Sequence, residues 1–207
     1  RQGLAGARPT DGKTPKGTVD SAPLPLLPTR EATALSFGTV RGTHEPTESL
    51  VFVRYADRCY GLNRATGTPE WVCRVGFDIP WPPTQIETDG ANRLIVPWSA
   101  DGKMRVSVTA VDSPAPLWTL HLTGGSTLAN RPAAVGSDLY VALEEGELWQ
   151  LNLADGRCRA VLQFPEPLAG PVLFDPAGRT AVCTGRDLAV YLLDLGETVS
   201  VRSVALR

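Results

Sequence analysis

Short apolar runs, bounded by polar turns, recur along this chain at a nearly fixed interval. The β-branched or aromatic runs Leu50-Val51-Phe52-Val53, Leu94-Ile95-Val96, Leu139-Tyr140-Val141 and Thr180-Ala181-Val182 are spaced by roughly 43, 45 and 41 residues. About ten residues after each run an apolar residue is followed by Asn or Asp: Leu62-Asn63, Val111-Asp112, Leu151-Asn152 and Leu193-Asp194. These marks are spaced by roughly 49, 40 and 42 residues, so two independent features carry the same period. Between run and mark lies a polar turn: Ala56-Asp57-Arg58, Ser99-Ala100-Asp101-Gly102-Lys103, Glu144-Glu145-Gly146 and Gly185-Arg186-Asp187.

The residue types explain themselves. Asn63, Asp112, Asn152 and Asp194 accept hydrogen bonds from backbone amides just ahead and so start turns. Gly67 and Gly156 supply positive φ at the tightest point of the hairpins that follow. Pro83, Pro132 and Pro171 open the stretches before the runs, where the first residue of a strand need not donate to a ladder. Within one strand, Leu148, Gln150 and Asn152 face one way, while Trp149, Leu151 and Leu153 face the other. No stretch carries a sustained helical period. The pattern predicts an all-β protein of four repeated units, each with antiparallel strands a to d, over about 34–75, 83–122, 131–164 and 170–206. Strand a of the first unit falls on Ala34 to Val40. That period and strand count are those of β-propeller blades: either a four-bladed ring or part of a larger seven- or eight-bladed one.

Leu62-Asn63-Arg64-Ala65-Thr66-Gly67, then Trp71, Gly76 and Pro83, resembles the repeat of pyrroloquinoline-quinone-type propellers. The likeness spans about 170 residues, good in the first unit and fair in the third. The second unit keeps Trp118 but loses the Thr-Gly, and the fourth lacks both. A WD40-type propeller is the competing fold, yet no Gly-His or Trp-Asp pair occurs where that repeat needs one. The resemblance implies a quinone and calcium site in functional quinoproteins, several of which carry adjacent cysteines. No Cys-Cys pair appears here, and Glu87, Asp112 and Glu144-Glu145 stand singly or in repeat turns. With about half of a usual ring present, we expect no cofactor and no bound metal.

Composition narrows the rest. At 207 residues the repeats form one core. A net charge of −2 and a pI near 5.7 give no polybasic field for nucleic acid or anionic lipid, and no apolar run is long enough to span a membrane as a helix. Residues 1–32 differ, reading as a flexible Pro/Gly-rich linker or tail, with Ala22-Pro23-Leu24-Pro25-Leu26-Leu27-Pro28 stiff enough to dock on the first blade. With Arg1 where a Met would stand, the pattern suggests a piece of a larger, processed protein.

Four cysteines fit no zinc spacing. A hairpin turning about Thr66 sets residues whose numbers total 132 opposite one another, which pairs Cys59 with Cys73. We expect both reduced, because Cys158 and Cys183 have no comparable partner, and this favours the cytoplasm over the periplasm or the cell exterior. Gly124-Gly125-Ser126-Thr127 precedes a strand, so it is a connecting loop rather than a phosphate cradle. No Gly-x-Ser-x-Gly occurs, His121 ends a strand and His44 stands in a polar loop. Trp71, Trp118 and Trp149 are expected inside.

Trp81 differs, since Asp78-Ile79-Pro80-Trp81-Pro82-Pro83 is a rigid d-to-a connection. An aromatic on such a loop suits a binding hot spot, the alternative being that it tucks against Trp98. Connections d to a and b to c gather on one rim, and the expected contacts there are Arg58, Asp78, Trp81, Lys103, Arg131 and Arg186. The expected function is a non-catalytic module that binds protein, as sensor or scaffold. Two alternatives stand beside it: an extracytoplasmic propeller resembling the outer-membrane assembly lipoproteins, and a fragment of a quinone-dependent dehydrogenase. An open set of four blades would expose apolar faces, Leu35 and Phe37 at one end and Val199, Val201 and Val204 at the other. Blades from a separate or excised segment are the preferred cover, before a homodimeric ring or closure as four blades.

Overall fold

Backbone hydrogen bonding sorts the strands into antiparallel meanders. The structure, a computed structural model, describes residues 17–20, 50–111, 113, 115–175, 177–187, 189–195 and 200–205. Its strands, in chain order, are β1 (Gly17–Asp20), β2 (Leu50–Tyr55), β3 (Arg58–Asn63), β4 (Pro69–Arg74), β5 (Thr84–Thr88), β6 (Ala91–Ala100), β7 (Lys103–Ala110) and β8 (Pro116–Leu122). There follow β9 (Ala133–Val135), β10 (Asp138–Ala142), β11 (Glu147–Asn152), β12 (Cys158–Gln163), β13 (Leu173–Phe174), β14 (Thr180–Thr184), β15 (Ala189–Asp194) and β16 (Ser200–Ala205). No helix occurs among the described residues. The sheets run β2-β3-β4, β1-β8-β7-β6-β5, β12-β11-β10-β9 and β13-β14-β15-β16. Apart from β1, each sheet is built from one sequence repeat, the first with three strands among the described residues and the others with four. The expected strand over Ala34 to Val40 lies outside the described residues.

One difference concerns the presumed tail. Gly17–Asp20 forms β1, which adds a fifth strand beyond β8. An outer strand presents a row of unpaired backbone groups, and the β-branched Thr18-Val19 pair is suited to meet them.

The chain divides into two compact units, Thr18–His121 and the remainder from Leu122 onward with residues 1–17. In the first, Leu50, Phe52, Cys59, Trp71, Cys73 and Val75 of the first sheet pack with Leu94, Val96 and Trp98 of the second. Phe52 and Trp71 meet edge to face, with ring centroids 5.9 Å apart. The opposite face of the first sheet buries Val53, Tyr60, Leu62 and Val72. Strand alternation delivers both sets, since every second residue turns to the same side. Toward the outer strands of the second sheet the same layer turns polar: Trp98 Nε1 donates to Ser107 Oγ at 2.9 Å, and Ser107 Oγ lies 2.7 Å from Thr119 Oγ1. These buried groups satisfy one another.

In the second unit Tyr140, Ala142, Leu148, Leu162 and Phe164 pack with Ala181, Cys183, Tyr191 and Leu193. Tyr140 stacks near Phe174 and Phe164 near Tyr191, both pairs with centroids 4.8 Å apart. Trp149, Leu151 and Leu153 are almost wholly buried on the other face of β11, as their alternation predicts. Trp149 Nε1 donates to Glu147 Oε2 at 3.0 Å, and the Glu147 carboxylate is buried with it.

Two hairpins repeat one turn atom for atom. Asn63 Oδ1 accepts from Ala65 N at 2.9 Å, and Asn152 Oδ1 accepts from Ala154 N at 2.8 Å. Gly67 N then donates to Asn63 O at 2.7 Å and Gly156 N to Asn152 O at 2.8 Å, at φ of 70° and 72°. Both strands carry a register shift just before the Asn, between Gly61 and Leu62 and between Gln150 and Leu151. The second sheet keeps the same shift, between Val108 and Thr109, without the Thr-Gly, and the fourth has none between β15 and β16.

The connections between sheets obey a second repeated rule. The chain leaving one sheet gives a carbonyl to an amide at the b-to-c end of the next: Ser99 N to Val75 O at 2.8 Å, Glu144 N to Thr127 O at 2.9 Å, and Arg186 N to Pro167 O at 2.9 Å. Each connector also sinks an apolar side chain, namely Ile79, Leu128 and Leu168. Gly146 makes room for one of them, because a Cβ there would stand 2.4 Å from Glu166 O, at φ +86°. At Gly67 a Cβ would meet nothing within 4 Å. Gly67→Ala should therefore cost about 1–2 kcal/mol for left-handed backbone alone, and Gly146→Ala about 2–5 kcal/mol. Urea unfolding of the two variants checks the order; equal losses would show that the connector is not held tightly on that turn.

Candidate functional site

At the b-to-c end of the first sheet the backbone closes on itself and leaves its side chains outside. Asp57 O accepts Val75 N at 2.7 Å and Gly76 N at 3.1 Å, so the β2–β3 turn grips the start of the β4–β5 connector. Arg54 Nη2 donates to Gly76 O at 3.0 Å and also to Phe77 O. Arg74 Nε meets Asp57 Oδ2 at 2.8 Å. This ion pair is half-exposed and stabilises little by itself, although it orients the turn. Downstream, Ile79 is fully buried and Pro83 is buried too, which pins the connector at two points.

What this scaffold presents is aromatic. Phe77 is 72% exposed and Tyr55 55% exposed, and Trp81 is half-buried on the Pro-rich stretch after Ile79. Exposed aromatics fixed by backbone bonds lose little conformational entropy when covered, which suits them to recognition. Asp78 and Lys103 are exposed along the same connections, and Arg58 is half-buried at the start of β3. Trp98 is covered from one side by Arg105, whose Cζ lies 4.5 Å from the ring centroid.

The expected contacts separate into two groups. Arg58, Asp78, Trp81 and Lys103 belong to one compact unit, and the Asp57–Val75–Ser99 chain of hydrogen bonds brings their turns together. Arg131 and Arg186 belong to the other unit: Arg131 is half-buried after β8, and Arg186 is exposed in the β14–β15 turn. There Glu166 Oε2 accepts Asp187 N at 2.6 Å, and Glu166 Oε1 accepts the Tyr191 hydroxyl at 2.7 Å. Tyr55, Phe77 and Arg54 were missed from sequence. The Tyr55 position next to the Ala56-Asp57 turn and the Gly76-Phe77 pair were the available signals.

Other candidate chemistry resolves simply. Gly124 and Gly125 form a turn of the β8–β9 connector, and the run meets a bridge to Leu143 at Leu128 rather than a helix. Among the described residues no group of three or more His, Cys, Asp or Glu is placed to hold a metal ion, and no helix is long and apolar enough to cross a membrane. Asp112 and His44 lie outside the described residues. Cys59 and Cys73 are direct cross-strand partners, as the hairpin arithmetic predicts, and both are buried free thiols.

Comparison with known proteins yields fold and nothing finer. No family model matches the chain, and no curated protein matches it. Among solved structures it is similar to BamB from Moraxella catarrhalis, with a TM-score of 0.51 and 17% identity over 76% of this chain and 46% of that one. It is also similar to BBS1N, solved in complex with ARL6DN, with a TM-score of 0.55 and 13% identity over 76% of this chain and 49% of that one. The fold is a β-propeller fold. The chain spans about half the length of the propellers it matches.

Burial governs the thiols. It pushes Cys59 and Cys183 up to about 12 from 9.0, against a smaller opposing pull from Arg54 at Cys59. Cys73 is raised well above 9.0 by burial and then by Cys59. The folded thiols thus stay protonated where the unfolded chain would ionise. Their contribution to stability is complete below a pH near 9.0 and is lost as pH rises toward about 12. Iodoacetamide at pH 8 should modify exposed Cys158 first and leave the other three. In a separate, unalkylated sample, titration of the unfolded, unreduced protein should return four thiols. A count of two would establish a Cys59–Cys73 bridge.

Proposed function

We propose that this chain is a non-catalytic propeller module that binds another protein through the edge carrying Tyr55, Phe77 and Trp81. The observation that carries the proposal is Phe77: 72% exposed, yet its backbone is anchored by Arg54 and its connector by Ile79. An apolar side chain held out in water on a rigid support gains by being covered. Arg54, Arg58 and Lys103 on one side, and Asp57 and Asp78 on the other, give the edge mixed charge, which fits a polypeptide partner better than nucleic acid. BBS1N, a propeller of similar fold, was solved bound to another protein, which supports the same class of role.

The repeat spacing and the Leu-Asn, Thr-Gly, Trp series favour placing the module with the quinoprotein-type propellers by descent, without their quinone chemistry. An extracytoplasmic role, the second reading, gains support from the likeness in fold to BamB.

The binding proposal is tested by comparing immobilised wild-type protein with a Phe77→Ala/Trp81→Ala double variant against extracts of its own source. The variant should lose the retained partner, about tenfold or more in affinity for two anchors of this kind, with melting shifted by only a few degrees. Retention unchanged by the double variant rejects this edge as the site. The non-catalytic proposal has its own assay: a stoichiometric calcium ion together with a quinone absorption band in protein from the native source would overturn it.

A further inference from the structure

We infer that the b-to-c end of β7, where Arg105 lies beside Trp98, receives an oxyanion carried by the partner. The polypeptide that covers the Phe77 edge then presents an acidic or phosphorylated side chain at this point. The inference rests on the binding role proposed above and names the chemistry of its partner. β6, β7 and β8 together contain Arg93, Lys103, Arg105 and His121 and no Asp or Glu, in a chain whose net charge is −2. Register places Arg105 opposite Trp98 on one side and opposite His121 on the other. Lys103 stands two residues before Arg105 on β7 and so shares its face of the sheet. Three basic residues gather at one end of one sheet face, and their strands bring no carboxylate to meet them.

Arg105 decides the matter. Its side chain is half-buried with Cζ 4.5 Å from the Trp98 ring centroid, and its Nε is buried with no hydrogen-bond partner among the described residues. Stacking occupies the face of a guanidinium and leaves its N–H donors, which lie in the plane, in need of acceptors. The hydroxyls nearest in register are already engaged, since Ser107 Oγ accepts from Trp98 Nε1 at 2.9 Å and lies 2.7 Å from Thr119 Oγ1. Among the described residues neither Arg105 nor Lys103 forms an ion pair, although exposed Asp101 lies in the turn before them. A half-buried charge without a counter-charge is unfavourable, and an entering anion relieves it. Other arginines of this edge are taken: Arg54 donates to Gly76 O and Phe77 O, and Arg74 meets Asp57 Oδ2. The site also adjoins the aromatic edge within the same compact unit. Ser99, next to Trp98, donates its amide to Val75 O, and a Cβ on Gly76 would collide with the Ser99 hydroxyl, so this strand runs against the residue before Phe77. One extended segment with an apolar residue and an acid a short distance apart reaches both.

The test uses the full chain, labelled at its arginine side chains, and two small probes: inorganic phosphate and, in parallel, acetate. NMR follows the Nε–H resonances. That of Arg105 should shift and saturate in the millimolar range with at least one probe, while those of Arg54 and Arg74, which already have acceptors, stay in place. Saturation by both marks a general oxyanion site, by acetate alone a carboxylate site, and by phosphate alone a site for a phosphorylated side chain. Lys103→Gln, a change at an exposed position, should weaken the binding about threefold, the scale of one exposed ion pair, with the melting temperature unchanged. The absence of a saturable shift at Arg105 with either probe overturns the proposal. So do shifts of equal size at Arg54 and Arg74, or a Lys103→Gln protein that binds both probes as tightly as the wild type. The titration involves no protein partner, so its failure removes the oxyanion site and leaves the Phe77–Trp81 reading standing, while loss of that reading leaves the titration as it was.

Discussion

The hydrogen bond from each connector to the turn of the following sheet is the constraint on which the rest depends. A connector leaving a sheet carries backbone groups that have lost their ladder, and near a core they must find partners. Here the problem is solved the same way three times, by Val75, Thr127 and Pro167 carbonyls accepting from Ser99, Glu144 and Arg186. The bond ties each connector to the b-to-c turn of the sheet that follows it. Each connector also carries a buried apolar residue, Leu128 and Leu168 next to the bonded carbonyl and Ile79 four residues after it, which adds apolar burial to a polar bond. In the first connector the residues on either side of Ile79 are held toward the surface, Phe77 exposed before it and Trp81 half-buried after it. A recognition edge here is a by-product of how sheets are joined.

The fold was largely legible because it is written in spacing. Period-2 alternation gave the faces of β11, a near-constant interval gave the sheets, and Asn63 with Gly67 gave a turn whose geometry Asn152 and Gly156 reproduce. The Cys59–Cys73 pairing followed from the same arithmetic, since register is fixed once a turn is fixed. Where the local pattern was silent, reading failed. A short segment such as β1 has too little pattern to announce that it pairs with β8, since the reason for the pairing is the open edge of a distant strand.

The terminal faces show the same limit. Val201 was expected to be exposed, yet it sits against the covered core, and Leu173 and Leu192 face outward instead. Both faces of β15 are apolar in sequence, so alternation could not say which one meets a neighbour. That depends on which side the preceding sheet packs. The aromatic edge was half legible for a related reason: a Pro-rich loop flagged Trp81, but the exposure of Phe77 and Tyr55 follows from the Arg54 anchor, a contact across 22 and 23 residues of sequence. Leu35, Phe37, Val199 and the strand over Ala34 to Val40 lie outside the described residues.

If connectors are stitched to turns as described, their bonds belong to the cooperative fold rather than to surface fluctuation. Native-state hydrogen exchange at the amides of Ser99, Glu144 and Arg186 tests this directly. All three should be protected to nearly the level of the central strands β6, β10 and β14, and should open with them. Exchange at the rate of an exposed loop at any two of the three would contradict the account, because the connectors would then follow the sheets instead of placing them.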